Sequence, residues 1–111
     1  MGVGTHVIGE LYGCPAQSLG GVAEVRALMH RVVEEAHFRV VGEKFHQFEP
    51  CGVTGVMVLR ESHFSVHTWP EEGVIAADIF TCGKEGNAVE AFDLLCRLME
   101  PERIERRIIE R

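Results

Sequence analysis

Residues 60–83 read RESHFSVHTWPEEGVIAADIFTCG. Two extended runs, Arg60–Trp69 and Val74–Phe80, flank a Pro70-Glu-Glu-Gly73 turn, which is the pattern of an antiparallel hairpin. Strand alternation puts Glu61, His63, Ser65, His67 and Trp69 on one face and Ser62, Phe64 and Val66 on the other. A four-residue loop at 70–73 pairs Trp69 with Val74, His67 with Ala76, Ser65 with Asp78, His63 with Phe80 and Glu61 with Cys82. That register sets Cys82 across from the Glu61–Ser62 peptide bond. A slip of one residue would exchange the two faces.

Outward from the hairpin, Thr5–Tyr12 alternates as a strand does, and Gly13, Pro15 and Gly20-Gly21 punctuate a loop. Val22–Ala36 carries Val22, Val25, Leu28, Met29, Val32, Val33 and Ala36 at helical spacing. Phe38–Val41 and Lys44–Phe48 read as a strand broken at Gly42, and Val53–Leu59 as another. Asn87–Met99 is a second amphipathic helix that Pro101 ends, and Arg103–Ile109 reads as a last strand. The order β-α-β-β-β-β-α-β, with short connections, predicts an α+β fold. It is a two-layer sandwich of a mostly antiparallel sheet with helices on one face. The other sheet face must be solvated or buried against a partner.

The 111 residues suit one domain, 1–111, small enough for self-association to help it. A net charge of −6 disfavours nucleic acid, because phosphate binding needs clustered Lys and Arg. The C-terminal Arg103, Arg106, Arg107 and Arg111 alternate with Glu and read as a solvated face. No apolar run approaches the ~20 residues of a membrane span, and no signal-peptide pattern is present. Cys14, Cys51, Cys82 and Cys96 lack zinc-like spacing and read as reduced thiols in the cytoplasm.

From residues alone, the hairpin admits three readings. His63 and His67 could hold a metal, but on a strand four residues span roughly 13 Å, too far for one ion without a bend. Cys82 could be a nucleophile activated by a histidine. Or the His and Ser side chains simply face water.

Glu61-Ser-His63, His67-Thr-Trp-Pro-Glu71 and Phe80-Thr-Cys-Gly83 together resemble the signature of the prokaryotic S-adenosylmethionine decarboxylase proenzymes. The resemblance extends to Phe45–Gly55 and to His6–Cys14, and more weakly to most of the chain. It implies a pyruvoyl cofactor, with no pyridoxal phosphate and no metal. The Ser62 hydroxyl would attack the Glu61 carbonyl, converting the peptide to an ester. Elimination and hydrolysis would leave a β chain of 1–61 and an α chain of 62–111 that begins with pyruvoyl. A carbonyl that forms a Schiff base with the substrate amine is an electron sink for decarboxylation. Pyridoxal enzymes need a lysine for the cofactor's own Schiff base, and the only lysines, Lys44 and Lys84, lie in no recognisable site.

By the same resemblance, His67 handles protons during processing, with Thr54 standing where the family usually has a serine. Cys82 is the catalytic proton donor. Phe48 is the candidate to stack on adenine, with Trp69 nearby in the substrate site, and Glu71 is the candidate to hold the ribose hydroxyls. A straight strand puts Ser62 and His67 on opposite faces, so the backbone must bend near the cleavage point for both to serve one site. The implied activity is decarboxylation of S-adenosylmethionine for polyamine (spermidine) synthesis. Relatives with the same machinery act on arginine or ornithine, and a binding module that has lost processing is the rival of another class. The chain departs from the common pattern at Thr5, at Glu72-Gly-Val74 and at Glu85-Gly-Asn87. The resemblance also implies a homodimer, sheets face to face in a four-layer αββα sandwich.

Overall fold

A computed structural model describes residues 2–111. The elements are β1 (Thr5–Tyr12), a 3-10 turn (Ala16–Ser18), α1 (Val22–Glu35), β2 (Gly42–Gln47), β3 (Val53–Val58), β4 (His63–Trp69), β5 (Val74–Thr81), α2 (Ala88–Met99) and β6 (Arg103–Glu110). The strands form one sheet in the order β2-β3-β4-β5-β1-β6, and every neighbouring pair is antiparallel. Both helices lie on one face, as the two-layer α+β expectation requires. The β4–β5 register runs from Trp69↔Val74 to His63↔Phe80, as read from the sequence.

The helices form where the apolar stripes are, and local chemistry fixes their ends. Asn87 caps α2 by accepting the Glu90 amide at 2.9 Å. α1 stops because His37 takes a left-handed φ of 67°. That lets the His37 amide reach the Glu34 carbonyl and the Phe38 amide the Val33 carbonyl, satisfying two helix-end acceptors. Phe38 is thereby turned into the core. Two expectations are corrected here. Phe38–Val41 is not a strand: the helix-ending turn takes Phe38, and pairing with β3 begins only at the Val41 amide, which donates to the Val58 carbonyl, so Gly42 starts β2 instead of breaking it. Arg60–Ser62 is not extended either. Leu59 and Ser62 exchange backbone hydrogen bonds of 2.8 and 3.1 Å around a two-residue Arg60-Glu61 loop, with Arg60 at φ 60°.

Alternation sorts the sheet into two unlike faces. Val7, Leu11, Val53, Met57, Phe64, Val66, Ile75 and Ile79 point at the helices and are buried. Their neighbours His6, Ile8, Thr54, Val56, His63, Ser65, His67 and Asp78 line the open face. The two layers meet closely at Gly9, where a Cβ would lie 2.6 Å from the Phe92 ring. Phe92 is fully buried on that glycine. Phe92→Ala removes a ring that nothing else can replace. We expect it to cost about 3–5 kcal/mol, read as a lowered urea midpoint with an unchanged slope.

Candidate active site

The Arg60-Glu61 loop puts the Glu61–Ser62 bond at the end of a tight hairpin turn. The left-handed φ of Arg60 is unusual for a residue with a Cβ. Ser62 keeps the parity of the helix-covered face and is 8% exposed. Cys82 follows β5 and comes alongside, its Sγ 3.9 Å from the Glu61 carboxylate. Lys84 Nζ approaches the same carboxylate at 3.6 Å, and Arg60 pairs with Glu85 at 3.4 Å. A cavity of about 160 Å³ is lined by Arg60, Glu61, Ser62, Cys82, Lys84 and Glu85. Glu61, Ser62 and Cys82 are thus brought together.

The other end of β4 carries a second, larger pocket of about 310 Å³. Phe48, Thr54, His67, Trp69 and Glu71 all line it, with Cys51 and Gly52. Thr54 and His67 are directly paired across β3 and β4, and Thr54 Oγ1 lies 2.9 Å from His67 Nδ1. Phe48 and Trp69 are 47% and 46% exposed, open to a flat ligand. Two polar side chains hold this pocket in shape. Gln47 Nε2 donates to the Gly20, Phe48 and Gly52 carbonyls, while its Oε1 accepts the Val22 amide. Thr68 Oγ1 accepts from the Val53 amide and donates to the Leu19 carbonyl.

The two groups do not merge within one chain. Ser62 and His67 are five residues apart on a strand, roughly 16 Å at ~3.3 Å per residue. The bend before Ser62 does not change the parity that separates them.

Sequence reasoning gave His63 no catalytic role, weighed it for a metal only with His67, and missed its surroundings. On the open face His6 Nε2 lies 2.7 Å and His63 Nε2 2.9 Å from the same Asp78 Oδ2, and Ser65 donates to Oδ1. Burial raises the Asp78 pKa, but hydrogen bonds from Ser65, His6 and His63 outweigh it and hold the carboxyl below its ordinary value. The Ser65–Asp78 pairing was legible in the register. His6 was not, because β1 reaches this place only through the β5–β1 seam.

All four cysteines are free thiols. Burial pushes Cys14 up to about 11. Cys96 is raised chiefly by burial, and Cys51 by burial and by the Glu71 carboxylate.

A family model described as S-adenosylmethionine decarboxylase matches residues 5–111. Among curated proteins, the chain is 40% identical over 109 residues to an S-adenosylmethionine decarboxylase proenzyme of Archaeoglobus fulgidus, covering 98% of this chain and 97% of that protein. The corresponding proenzyme of Aquifex aeolicus is 38% identical, covering 98% and 81%. Among solved structures, the adenosylmethionine decarboxylase of Aquifex aeolicus superposes with a TM-score of 0.93 at 35% identity, covering 99% of this chain and 91% of that one. An AdoMetDC monomer of Trypanosoma brucei shares the fold, with a TM-score of 0.70 at 18% identity over 94% of this chain and 45% of that one.

Thiol reactivity checks the geometry. A thiol that is both buried and held protonated reacts slowly, and Cys14 is 6% exposed. Cys82 opens on a cavity. At about pH 8, limiting iodoacetamide should label Cys82 well before Cys14, as read by peptide mass spectrometry.

Proposed function

Because the chain belongs to the S-adenosylmethionine decarboxylase family, we propose that it decarboxylates S-adenosylmethionine for polyamine synthesis, using a pyruvoyl group made from its own Ser62. The observation that carries this reading is the meeting of Ser62 and Cys82 at one turn, with an aromatic, acid-bearing pocket on the same hairpin. The relatives' names specify S-adenosylmethionine and do not favour arginine or ornithine.

The residues fit self-cleavage. Ser62 is partly shielded from water, and the preceding carbonyl belongs to Glu61 in a two-residue loop. Attack of Ser62 Oγ on that carbonyl, then elimination, separates residues 1–61 from 62–111. Backbone strain at Arg60 favours opening of the loop. The pyruvoyl carbonyl, once formed, supplies the electron sink that loss of CO2 requires.

The remaining work falls to side chains. Cys82, which lines one cavity with Ser62, returns a proton to the carbon that loses CO2. His67, hydrogen-bonded to Thr54, moves protons during processing. Phe48 and Trp69 offer ring faces to adenine, and the Glu71 carboxylate accepts hydrogen bonds from the ribose hydroxyls.

A cytoplasmic homodimer belongs to the same proposal. The open sheet face carries Ile8, Val56, Val58 and Trp69, all at least 36% exposed. Burying two such faces against each other is the simplest way to remove them from water. It also offers the aromatic pocket of a second copy to the Ser62 end of the first. Val56→Asp is expected to shift a dimer to monomer in sedimentation velocity. A wild-type chain that sediments as a monomer would remove this part of the proposal.

The catalytic reading is tested by CO2 release from S-adenosylmethionine, arginine and ornithine in parallel, with intact mass recorded on the same protein. Release from S-adenosylmethionine alone, with two fragments split at Glu61–Ser62, is expected. Ser62→Ala should remain one inactive chain. Cys82→Ala should still split but lose about a hundredfold or more in kcat. An intact wild-type chain with no CO2 release would mark a binding module that has lost processing.

A further inference from the structure

The open face holds a second cluster that the proposed decarboxylation does not use. His6 and His63 flank Phe80 from either side, since both pair with it across the β1–β5 and β4–β5 seams. Asp78 lies two residues along β5 and projects from the same face. Three strands therefore aim three donor atoms at one place, His6 Nε2, His63 Nε2 and an Asp78 oxygen, all within 4.8 Å of one another. The spacing that rules out His63 with His67 on one strand does not apply, because the second imidazole comes from a different strand.

We propose that His6, His63 and Asp78 form a binding site for a divalent cation of the zinc class. This departs from the metal-free expectation of the sequence reading, and it stands independently of the pyruvoyl chemistry. Two imidazoles and one carboxylate are the donor set of zinc and its neighbours, not of magnesium or calcium, which prefer all-oxygen shells. Ligands on one tetrahedral zinc sit about 3.3 Å apart, given Zn–N and Zn–O distances near 2.0–2.1 Å. Here the nitrogens are 2.7 and 2.9 Å from the carboxylate oxygen. Each nitrogen must move about half an ångström away from that oxygen, and the two nitrogens, which lie within 4.8 Å of each other, must settle at the same spacing. In a single chain His63 can make that movement, because its side chain is 40% exposed; face-to-face pairing of two sheets would put the site between the two copies. Ser65 already occupies the other carboxylate oxygen and orients it, as outer partners of metal ligands do. Three protein ligands leave one position for water.

The chain also carries its own competitor. Arg111 Nη1 lies 3.5 Å from His6 Nδ1, and its guanidinium rests over the Phe80 ring at 5.1 Å. Arg111 only donates, so its partner nitrogen must be the unprotonated one, which puts the His6 proton on Nε2, pointing at Asp78. A cation bound at Nε2 needs the opposite tautomer and adds positive charge beside Arg111. Binding therefore displaces that side chain, and removing it should tighten the site.

The test uses the 111-residue chain, as purified and stripped with a chelator, titrated with Zn2+ alone and with Co2+ alone. One Zn2+ per chain and a raised Tm are expected. His6→Ala and His63→Gln should each weaken binding by more than the ~10-fold that loss of an outer partner costs. Arg111→Ala should tighten it several-fold. Bound Co2+ should show d–d absorption with no thiolate charge-transfer band. No binding by wild type, equal binding by folded His6→Ala, or a thiolate band tracing the ion to a cysteine would each overturn the proposal. Unchanged affinity in Arg111→Ala would overturn the competition.

Discussion

Gly73, at φ 66°, completes the Pro70–Gly73 turn, and its carbonyl accepts the Cys14 amide at 2.9 Å. A Cβ there would stand 3.0 Å from the Cys14 carbonyl oxygen, so both the conformation and the space call for glycine. This turn sets the register of β4 against β5. Moving it by one residue would drive His63, Ser65, His67 and Trp69 under the helices and push Phe64 and Val66 into water. Phe64 and Val66 are fully buried, so such a slip is opposed by several kcal/mol of lost apolar burial, at about 1.5–3 for each such side chain. The register that protects the core is the one that lines up the chemistry.

That division of labour explains the polarity of the sheet. One face is a dry layer of Val, Leu, Ile and Phe under α1 and α2, and it needs no polar group beyond Thr68, Thr81 and Ser62. Thr68 is kept there by partners on both sides, the Leu19 carbonyl and the Val53 amide. The other face collects hydroxyls, imidazoles and a carboxylate that satisfy one another. Ser62, the hydroxyl proposed to cleave the chain, is carried on the dry face with Thr68 and Thr81.

Much of this was legible in the sequence because period-2 alternation carries both burial and pairing. The β4–β5 register, both helices and the grouping of Thr54 with His67 follow from local pattern or motif. Two things were hidden. The loop at Arg60-Glu61 contains no glycine, asparagine or proline, so the usual turn signals were absent and the run looked extended. The partnership of His6 with Asp78 spans 72 residues and depends on β1 inserting between β5 and β6, which no periodicity encodes. The separation of Ser62 from His67 was visible as a parity conflict, and the fold retains it.

A cut after Glu61 would leave β1, β2 and β3 on one piece and β4, β5 and β6 on the other. In the order β2-β3-β4-β5-β1-β6, the seams β3–β4, β5–β1 and β1–β6 would then join different polypeptides. β1 would be wedged between two strands of the second piece. The fragments would be interdigitated, and neither could leave by peeling from an edge without dismantling the core. Scission would relieve the turn locally while the assembly stayed kinetically locked, and the two halves would unfold as one cooperative unit.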